Sequence, residues 1–208
     1  MYLRFFMENQ DKKKIIIIEA ALKRFAHYGL SKTTMSEIAK DISLSKALLY
    51  YYFPDKISLY VSTMEYLMQK ISRETVKSID KASTSTEAVL KLLQKRQSYI
   101  QKYYNLFESS LTIGSDLPDD LYDKFSKAKA FEKIIINSLL TRGVANKELA
   151  MDDPKLTTEI FIDAISGIHF NILAKDKSIF PGKDQFKEIF YKEKIFADIF
   201  LAGLAVRP

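Results

Sequence analysis

Cysteine and tryptophan are absent from this chain of 208 residues, which also has only 2 histidines, 6 glycines and 5 prolines. The absence of cysteine excludes disulfides, cysteine-ligated zinc, iron–sulfur clusters and thiol catalysis, and it fits a reducing compartment. Two histidines leave almost no material for a multi-histidine metal centre or a Ser/His/Asp site. Because an all-β protein needs many glycine and proline turns, that fold class is disfavoured as well. We therefore expect no metal, no cofactor and no enzymatic activity.

Long hydrophobic runs are missing too. The longest apolar stretch near the C-terminus, from Phe196 to Val206, has 11 residues and contains Asp198, so it is too short to span a membrane. The opening residues, MYLRFF, include no sustained apolar segment and no small-residue cleavage site for export. A cytoplasmic protein without membrane association is expected, and the sequence leaves open whether the chain starts at Met1 or Met7.

Positive charge is concentrated in the first quarter of the chain. Residues 1–56 contain ten Lys or Arg against six Asp or Glu, a net charge of +4, whereas residues 57–208 contain 22 against 20, a net charge of +2. This asymmetry predicts a small basic module, suited to an anionic partner, followed by a nearly neutral body. Within the module, the run from Lys12 to Lys14 is either an arm that reaches DNA phosphate or a solvated helix start.

Apolar residues recur at a spacing near 3.6 between the glycines and prolines, which predicts helices and no convincing strand. The expected all-α chain has about nine helices, which cover roughly residues 11–28, 35–40, 46–52, 55–80, 87–105, a short continuation to 113, 116–143, 153–175 and 183–204. Asp116 with Pro118, and Asp153 with Pro154, are expected to open two of them, because proline suits the first turn of a helix.

Residues 34–53 predict two short helices joined by a tight turn, which is the geometry of a helix-turn-helix unit. Thr34 and Glu37 have the spacing of a capping box, and Ser45 is placed to cap the second helix. In such a unit the second helix lies in the major groove of DNA. The residues available for the contact between the helices are Ile38, Ala39, Leu44 and Leu49. The donors available on the outer face are Lys46, Tyr50, Tyr51 and Tyr52.

The run TTMSEIAKDISLSKALLYYYFPDKISLY, residues 33–60, resembles the signature of the tetracycline-repressor (TetR/AcrR) family of bacterial transcriptional regulators. The preceding EAALKRFAHYG, residues 19–29, is similar to the first helix of that family. Beyond residue 60 only the length and the helical character agree. The resemblance implies a three-helix DNA-binding domain at residues 9–56, with its helix-turn-helix at about 34–53, and a helical effector-binding and dimerisation domain at residues 57–208.

The same resemblance assigns DNA contacts to particular positions. The position of Thr34 caps its helix and commonly touches a phosphate, and Lys56 matches a phosphate-binding lysine. The positions that open the recognition helix and approach bases are Ser45, Lys46, Ala47 and Leu48. The tyrosines follow: the positions of Tyr50 and Tyr52 usually bond to the DNA backbone, and Tyr51 takes either role.

Two positions depart from the family pattern. Ser43 stands where the turn usually has glycine, which costs stability if its φ is positive. Leu48 stands where a small polar residue is usual, so a hydroxyl contact is lost and an apolar contact with a thymine methyl group is offered instead. We therefore expect an unusual operator sequence.

Aromatic and methionine side chains, with one histidine, are candidates for an effector pocket. A helical domain needs such residues for its core as well, so both roles stay open. The candidates are Met64, Met68, Tyr99, Tyr103, Phe107, Phe131 and His169. For His169 the alternatives are a metal site, ordinary packing and an interface position.

The last two predicted helices carry more apolar surface than one face needs, which suggests burial against a second subunit. In the resembling family these two helices form a four-helix dimer interface. The candidate interface residues are Phe161, Ala164, Ile165, Ile168, Phe196, Ile199 and Phe200.

These features together predict a homodimeric regulator that binds double-stranded operator DNA, by default a repressor that a small hydrophobic molecule releases. A helical enzyme is disfavoured by the isolated histidines and by the absence of E-x-x-H and H-E-x-x-H patterns. A helix-turn-helix protein without a ligand, acting as an architectural or protein-binding module, is the second alternative. The operator, the effector, the regulated genes and the choice between repression and activation stay open.

Overall fold

The computed structural model of the chain describes residues 12–112, 119–175 and 182–206. Within these ranges the backbone forms nine α-helices and no strand, which confirms the predicted all-α class. The helices are α1 (Lys12–Tyr28), α2 (Met35–Asp41), α3 (Lys46–Tyr52), α4 (Lys56–Ile79), α5 (Ser85–Lys102), α6 (Tyr104–Thr112), α7 (Asp119–Ala145), α8 (Pro154–Lys175) and α9 (Lys183–Leu204). The predicted helix opening at Asp116 and Pro118 lies outside the described residues, as do Met1 and Met7. No helix in the described part of the chain is both long and apolar enough to cross a membrane.

The described residues divide into two compact units. The first contains residues 12–70 and 103–112, and the second contains residues 71–102, 119–175 and 182–206. The structural division therefore falls inside α4, after Lys70, and not at the predicted boundary after Lys56. The functional division into residues 9–56 and 57–208 stays a prediction.

The first unit consists of α1–α3, the first part of α4, and α6. The largest of its fully buried side chains are Ile17, Phe25, Ile38, Leu49, Leu59, Tyr60, Met64, Leu67 and Leu106. The rings of Phe25 and Tyr60 meet edge to face with their centroids 5.5 Å apart. These contacts join α1 to α4 at the centre of the unit.

Helix α6 joins the first unit although it lies far away in sequence. The hydroxyl of Tyr60 donates to the carbonyl oxygen of Leu106 at 2.6 Å. The Asn105 amide donates to the carbonyl oxygens of Ala26 and His27 at 3.0 and 2.9 Å. Because the last carbonyls of a helix have no partner within the helix, Asn105 serves as a remote cap for the end of α1.

The second unit is built from the end of α4 with α5, α7, α8 and α9. Its core residues are Ile79, Ala88, Val89, Leu92, Leu93, Ile136, Leu139, Leu140, Leu149, Phe161, Ile165, Ala197 and Leu201. The ring of Phe161 lies 5.5 Å from that of Phe196 and 5.3 Å from that of Phe200, centroid to centroid. This aromatic cluster joins α8 to α9.

The loop between α7 and α8 is tied to two other parts of the second unit. The Glu148 carboxylate accepts a hydrogen bond of 2.5 Å from the backbone N–H of Ser85 at the start of α5. The hydrogen bond from Ser85 outweighs burial, which acts in the opposite direction, and holds the pKa of Glu148 below its usual range. On the other side, Ala150 N–H donates to the carbonyl of Leu204 at 2.7 Å, and Val206 N–H donates to that of Glu148 at 3.1 Å. The loop thus caps α5 and pairs with the backbone that follows α9.

Candidate nucleic-acid interface

The start of α2 is fixed by a capping box, as the sequence predicts. The backbone N–H of Glu37 donates to Oγ1 of Thr34 at 3.3 Å, and the N–H of Thr34 donates to the Glu37 carboxylate at 2.9 Å. Hydrogen bonds from the side chain and the backbone of Thr34, in that order, hold the pKa of Glu37 below its usual range. Because the two residues satisfy each other's groups, the entry into α2 has one defined geometry.

The turn between α2 and α3 passes through Ser43 with a φ of 53°. The N–H of Leu44 donates to the carbonyl of Ala39 at 2.9 Å, which closes the end of α2. A non-glycine residue in this left-handed region costs about 1–2 kcal/mol relative to the ordinary helical region. The strain expected for a serine in place of glycine is therefore present.

Helix α3 is anchored by its inner side and leaves its outer side open. Ser45 caps the helix by accepting the N–H of Leu48 at 3.2 Å. Leu49 and Phe53 are buried in the first unit. The exposed candidate residues are Ser45, Lys46, Ala47, Tyr50 and Tyr51, and the half-buried ones are Leu48 and Tyr52. A helix of this kind presents a row of donors that can enter the major groove of DNA.

The three consecutive tyrosines take different positions. Tyr51 is 80% exposed and Tyr50 is 48% exposed, whereas Tyr52 is half-buried. The rings of Tyr51 and Tyr52 meet edge to face, 5.4 Å between centroids. At least two phenol groups therefore lie on the open side of α3, which agrees with the helical spacing.

Arg24 on α1 holds α2 in place, a role that no local sequence pattern indicated. Its guanidinium donates twice to Asp41, at 2.5 and 2.9 Å, and it also pairs with Glu37 at 3.2 Å. The bond from Arg24 lowers the pKa of Asp41, and the bond to Asp41 raises the pKa of Arg24. The paired arrangement fixes both distance and angle between α1 and the helix-turn-helix.

Lys56, at the start of α4, binds its own chain. Its ammonium donates to the carbonyl oxygens of Leu30 and Thr33 at 2.9 and 3.1 Å. An ammonium has three N–H donors, so two are used by the turn between α1 and α2 and one is left for another partner. The predicted phosphate contact of Lys56 stays a prediction, and the turn contact is a role that the sequence did not show.

The basic run at the start of α1 lies beside the end of α3. The ammonium of Lys14 is 5.6 Å from the centre of the Phe53 ring, a cation–π distance. Lys12 and Lys13 precede it and are exposed. The positive charge of Lys14 therefore lies next to α3, the recognition helix, within the same unit.

These features match a known sequence family. The family model described as "Bacterial regulatory proteins, tetR family" matches residues 17–63, which run from α1 into α4. Residues 17–63 thus carry the sequence signature of the TetR family. A transcriptional regulator from Cytophaga hutchinsonii is 29% identical, with a TM-score of 0.82, over 94% of this chain and 100% of that one.

Curated relatives carry the same description. The HTH-type transcriptional regulator RutR of Escherichia coli is 26% identical over 186 residues, which cover 88% of this chain and 85% of RutR. YuxN of Bacillus subtilis, an uncharacterized HTH-type transcriptional regulator, is 33% identical over 104 residues. That alignment covers 50% of this chain and 36% of YuxN. The family and these relatives are DNA-binding transcriptional regulators, not enzymes.

The predicted effector residues of the chain are divided between the two units. In the first unit Met64 and Tyr103 are buried, and Met68 and Phe107 are half-buried. The other three are in the second unit: Tyr99 is buried with its hydroxyl bonded to the Glu74 carboxylate, His169 is half-buried, and Phe131 is exposed. The seven residues thus do not form one pocket within either unit, and their role stays a prediction.

A cavity does lie in the second unit, around His169. Its lining residues are Arg96, Gln97, Ile100, His169, Phe186, Ile189, Phe190 and Glu193. Arg96 donates to Glu132 at 2.8 Å and to Glu193 at 2.6 Å, and His169 bonds to Glu193 as well. Only His169 of this cluster was predicted, because its partners are far apart in the sequence. Among the described residues no group of three His, Asp or Glu side chains is placed to hold a metal ion.

The apolar surplus of α8 and α9 is distributed over two faces. Phe161 and Ile165, predicted to lie at a dimer interface, are instead core residues with 1% and 5% exposure. The other predicted residues are half-buried (Ala164, Ile168, Phe196 and Phe200) or, for Ile199, 68% exposed. The large apolar side chains that remain exposed on the two helices are Leu156, Ile160, Phe170, Tyr191, Ile195 and Ile199. We call this set the apolar face of α8 and α9.

Proposed function

We propose that the chain is a homodimeric, cytoplasmic repressor that binds double-stranded operator DNA and releases it when a small molecule with apolar character binds. The open side of α3 carries this proposal. Lys46 and Tyr51 are held outward while Leu49 is fully buried beneath them. A helix whose inner side is buried and whose outer side is exposed is suited to contacting base edges in the major groove.

Within this proposal the DNA contacts divide into two classes. Thr34, Lys56, Tyr50 and Tyr52 bond to the sugar-phosphate backbone and set the register. The residues that approach bases are Ser45, Lys46, Ala47 and Leu48, with Tyr51 in either class. Phosphate contacts raise affinity for every sequence, whereas base contacts separate one sequence from another.

The apolar face of α8 and α9 supports a homodimer. Six large apolar side chains are exposed together on two neighbouring helices, and a second copy of the same face would bury them. Gly167 on α8 and Gly203 on α9 have no atom within 4 Å of the place of a Cβ, so both leave room for close approach. Two-fold symmetry then sets two recognition helices about 34 Å apart, one turn of the duplex.

Repression and ligand response are supported by relatives. IcaR of Staphylococcus aureus, 28% identical over 112 residues that cover 51% of this chain and 60% of IcaR, is a negative transcriptional regulator. FadR of Bacillus subtilis, solved with stearoyl-CoA, shares the fold with a TM-score of 0.61 and 19% identity. Release of DNA requires that the effector bind more tightly to a state with lower DNA affinity.

Footprinting on the DNA that flanks the gene of this protein tests the proposal. We expect a protected two-fold symmetric site, which a releasing compound abolishes. Selection of duplexes from a random pool by the parent and by Lys46→Ala should give different base preferences, because Lys46 lies on the open side of α3. Lys81→Ala, an exposed lysine between α4 and α5, is the matched control and should select the parent sequence. Equal affinity for all duplexes contradicts the proposal.

A further inference from the structure

The buried carboxylate of Glu193 is the centre of a charged cluster in the second unit. Glu193 is only 3% exposed. Its Oε1 accepts a hydrogen bond of 2.6 Å from Arg96 and a second bond from Nε2 of His169. The other guanidinium nitrogen of Arg96 donates to Glu132 at 2.8 Å. Helices α5, α8 and α9 therefore meet at one carboxylate oxygen, and Arg96 links α7 to them.

The second oxygen of this carboxylate is open. Among the described residues no group hydrogen-bonds to Oε2 of Glu193. In the same part of the chain no side-chain oxygen or nitrogen is both completely buried and without a partner. Oε2 is therefore within reach of solvent, and Glu193 lines the cavity. A carboxylate oxygen in such a place costs free energy until a donor reaches it.

The charged side chains around this oxygen determine whether a cation or an anion is attracted to it. Arg96 contributes one positive charge, and Glu132 and Glu193 contribute two negative charges, so the carboxylates exceed the guanidinium by one charge. Burial raises the pKa of Glu193, but the bond from His169 and the charge of Arg96 outweigh burial, so the pKa is lowered. Glu193 is thus ionised at neutral pH, and a cation is attracted where an anion is repelled.

The remaining walls of the cavity are apolar. Ile100 on α5 and Phe186, Ile189 and Phe190 on α9 complete the lining. Two phenylalanine rings next to a carboxylate suit an ammonium group with an apolar body. The space is about 10 Å³, room for about one water molecule, so a larger ligand requires the side chains of α9 to part. Binding would then favour a state that differs from this one.

We infer that this cavity is an effector site for a small organic ammonium ion, whose N–H donates to Oε2 of Glu193 and whose apolar body packs on Phe186 and Phe190. The site itself rests on the geometry of the second unit. Its link to the release of DNA rests on the proposed function.

Calorimetric titration of the full chain with benzylammonium tests the site, with benzyl alcohol and benzoate as neutral and anionic probes of similar shape. We expect saturable binding of benzylammonium, binding of benzyl alcohol at least about tenfold weaker, and no binding of benzoate. Methylammonium, which needs far less room than benzylammonium, should also bind. Absence of binding by both ammonium ions, or equal binding of benzoate, overturns the inference.

Two variants locate the ammonium. Glu193→Gln should weaken the binding of benzylammonium at least about tenfold. Glu188 lies on the same helix but pairs with Lys175 and Lys192, so Glu188→Gln should bind benzylammonium as the parent does. Gln97→Lys keeps both bonds of Glu193 and adds a competing ammonium to the cavity wall, so it should weaken benzylammonium more than benzyl alcohol even if Glu193→Gln fails to fold. Parent-like affinity in Gln97→Lys, or in folded Glu193→Gln, overturns the inference.

DNA binding is measured separately, by fluorescence anisotropy on the footprinted duplex. A chain that binds this duplex specifically but ignores both ammonium ions overturns the site alone. A chain that binds benzylammonium through Glu193 but shows no specific DNA binding upholds the site and contradicts the proposed function.

Discussion

Replacement of Lys56 by methionine removes the ammonium but keeps most of the aliphatic stem. Two hydrogen bonds are lost, to the carbonyls of Leu30 and Thr33 at 2.9 and 3.1 Å. A hydrogen bond to a charged group contributes about 1.5–3 kcal/mol, and the half-buried position reduces that figure. We expect a total loss of about 2 kcal/mol, which for a chain of this length lowers Tm by about 4–8 °C.

Thermal unfolding followed by circular dichroism measures this loss, with Lys32→Met as the control. Lys32 is an exposed lysine of the same turn, and its replacement should leave Tm unchanged. If the third donor of Lys56 also reaches a phosphate, the slope of log K against log salt falls by about 0.9 for each subunit. An unchanged Tm in Lys56→Met refutes the turn contact, and an unchanged salt slope refutes the phosphate contact.

Three other changes have defined outcomes. The bond from Arg24 lowers the pKa of Asp41, and the bonds from Thr34, with a smaller effect of Arg24, lower the pKa of Glu37. The pairing with Arg24 therefore stabilises the fold above about pH 4 and is lost as pH falls through the folded values. Tm of Arg24→Met should therefore lie below that of the parent at pH 7 and approach it at pH 3; a constant difference contradicts the pairing. Ser43→Gly removes the strain of a φ of 53° and should raise the free energy of unfolding by about 1 kcal/mol, measured by urea titration; a loss of stability contradicts the strain. Ile199→Glu places a charge on the apolar face of α8 and α9 and should shift the chain toward monomer in sedimentation velocity, with weaker operator binding; an unchanged dimer excludes this face as the interface.

Local patterns in the sequence were sufficient for most helix positions. The capping box of Thr34 and Glu37 marks the start of α2 because both partners lie within one turn. Ser45 marks α3 for the same reason. The positive φ of Ser43 also follows from a local comparison, since the family pattern has glycine at that position.

Contacts between distant residues were not predictable from these patterns. Arg96 and Glu193 are 97 residues apart, and Asn105 lies 79 residues from the carbonyl of Ala26 that it caps. A single sequence contains no signal that pairs such residues. The allocation of α6 to the first unit and the charged cluster at His169 both depend on pairings of this kind.

The apolar surplus of α8 and α9 shows a different limit of sequence patterns. Spacing near 3.6 identifies an apolar stripe but not the surface that covers it. On α8 the stripe with Phe161 and Ile165 packs into the chain's own core, while the stripe with Ile160 and Phe170 stays exposed. The spacing therefore indicated an apolar surplus on α8 but not which of its residues the chain's own core covers.

Leu149 pairs with Ala205, so the backbone that follows α9 supports the loop whose Glu148 caps α5, more than a hundred positions upstream. Removal of the residues after Ala202 would remove both backbone bonds that hold this loop, and with them the support for the Glu148 carboxylate that accepts the N–H of Ser85.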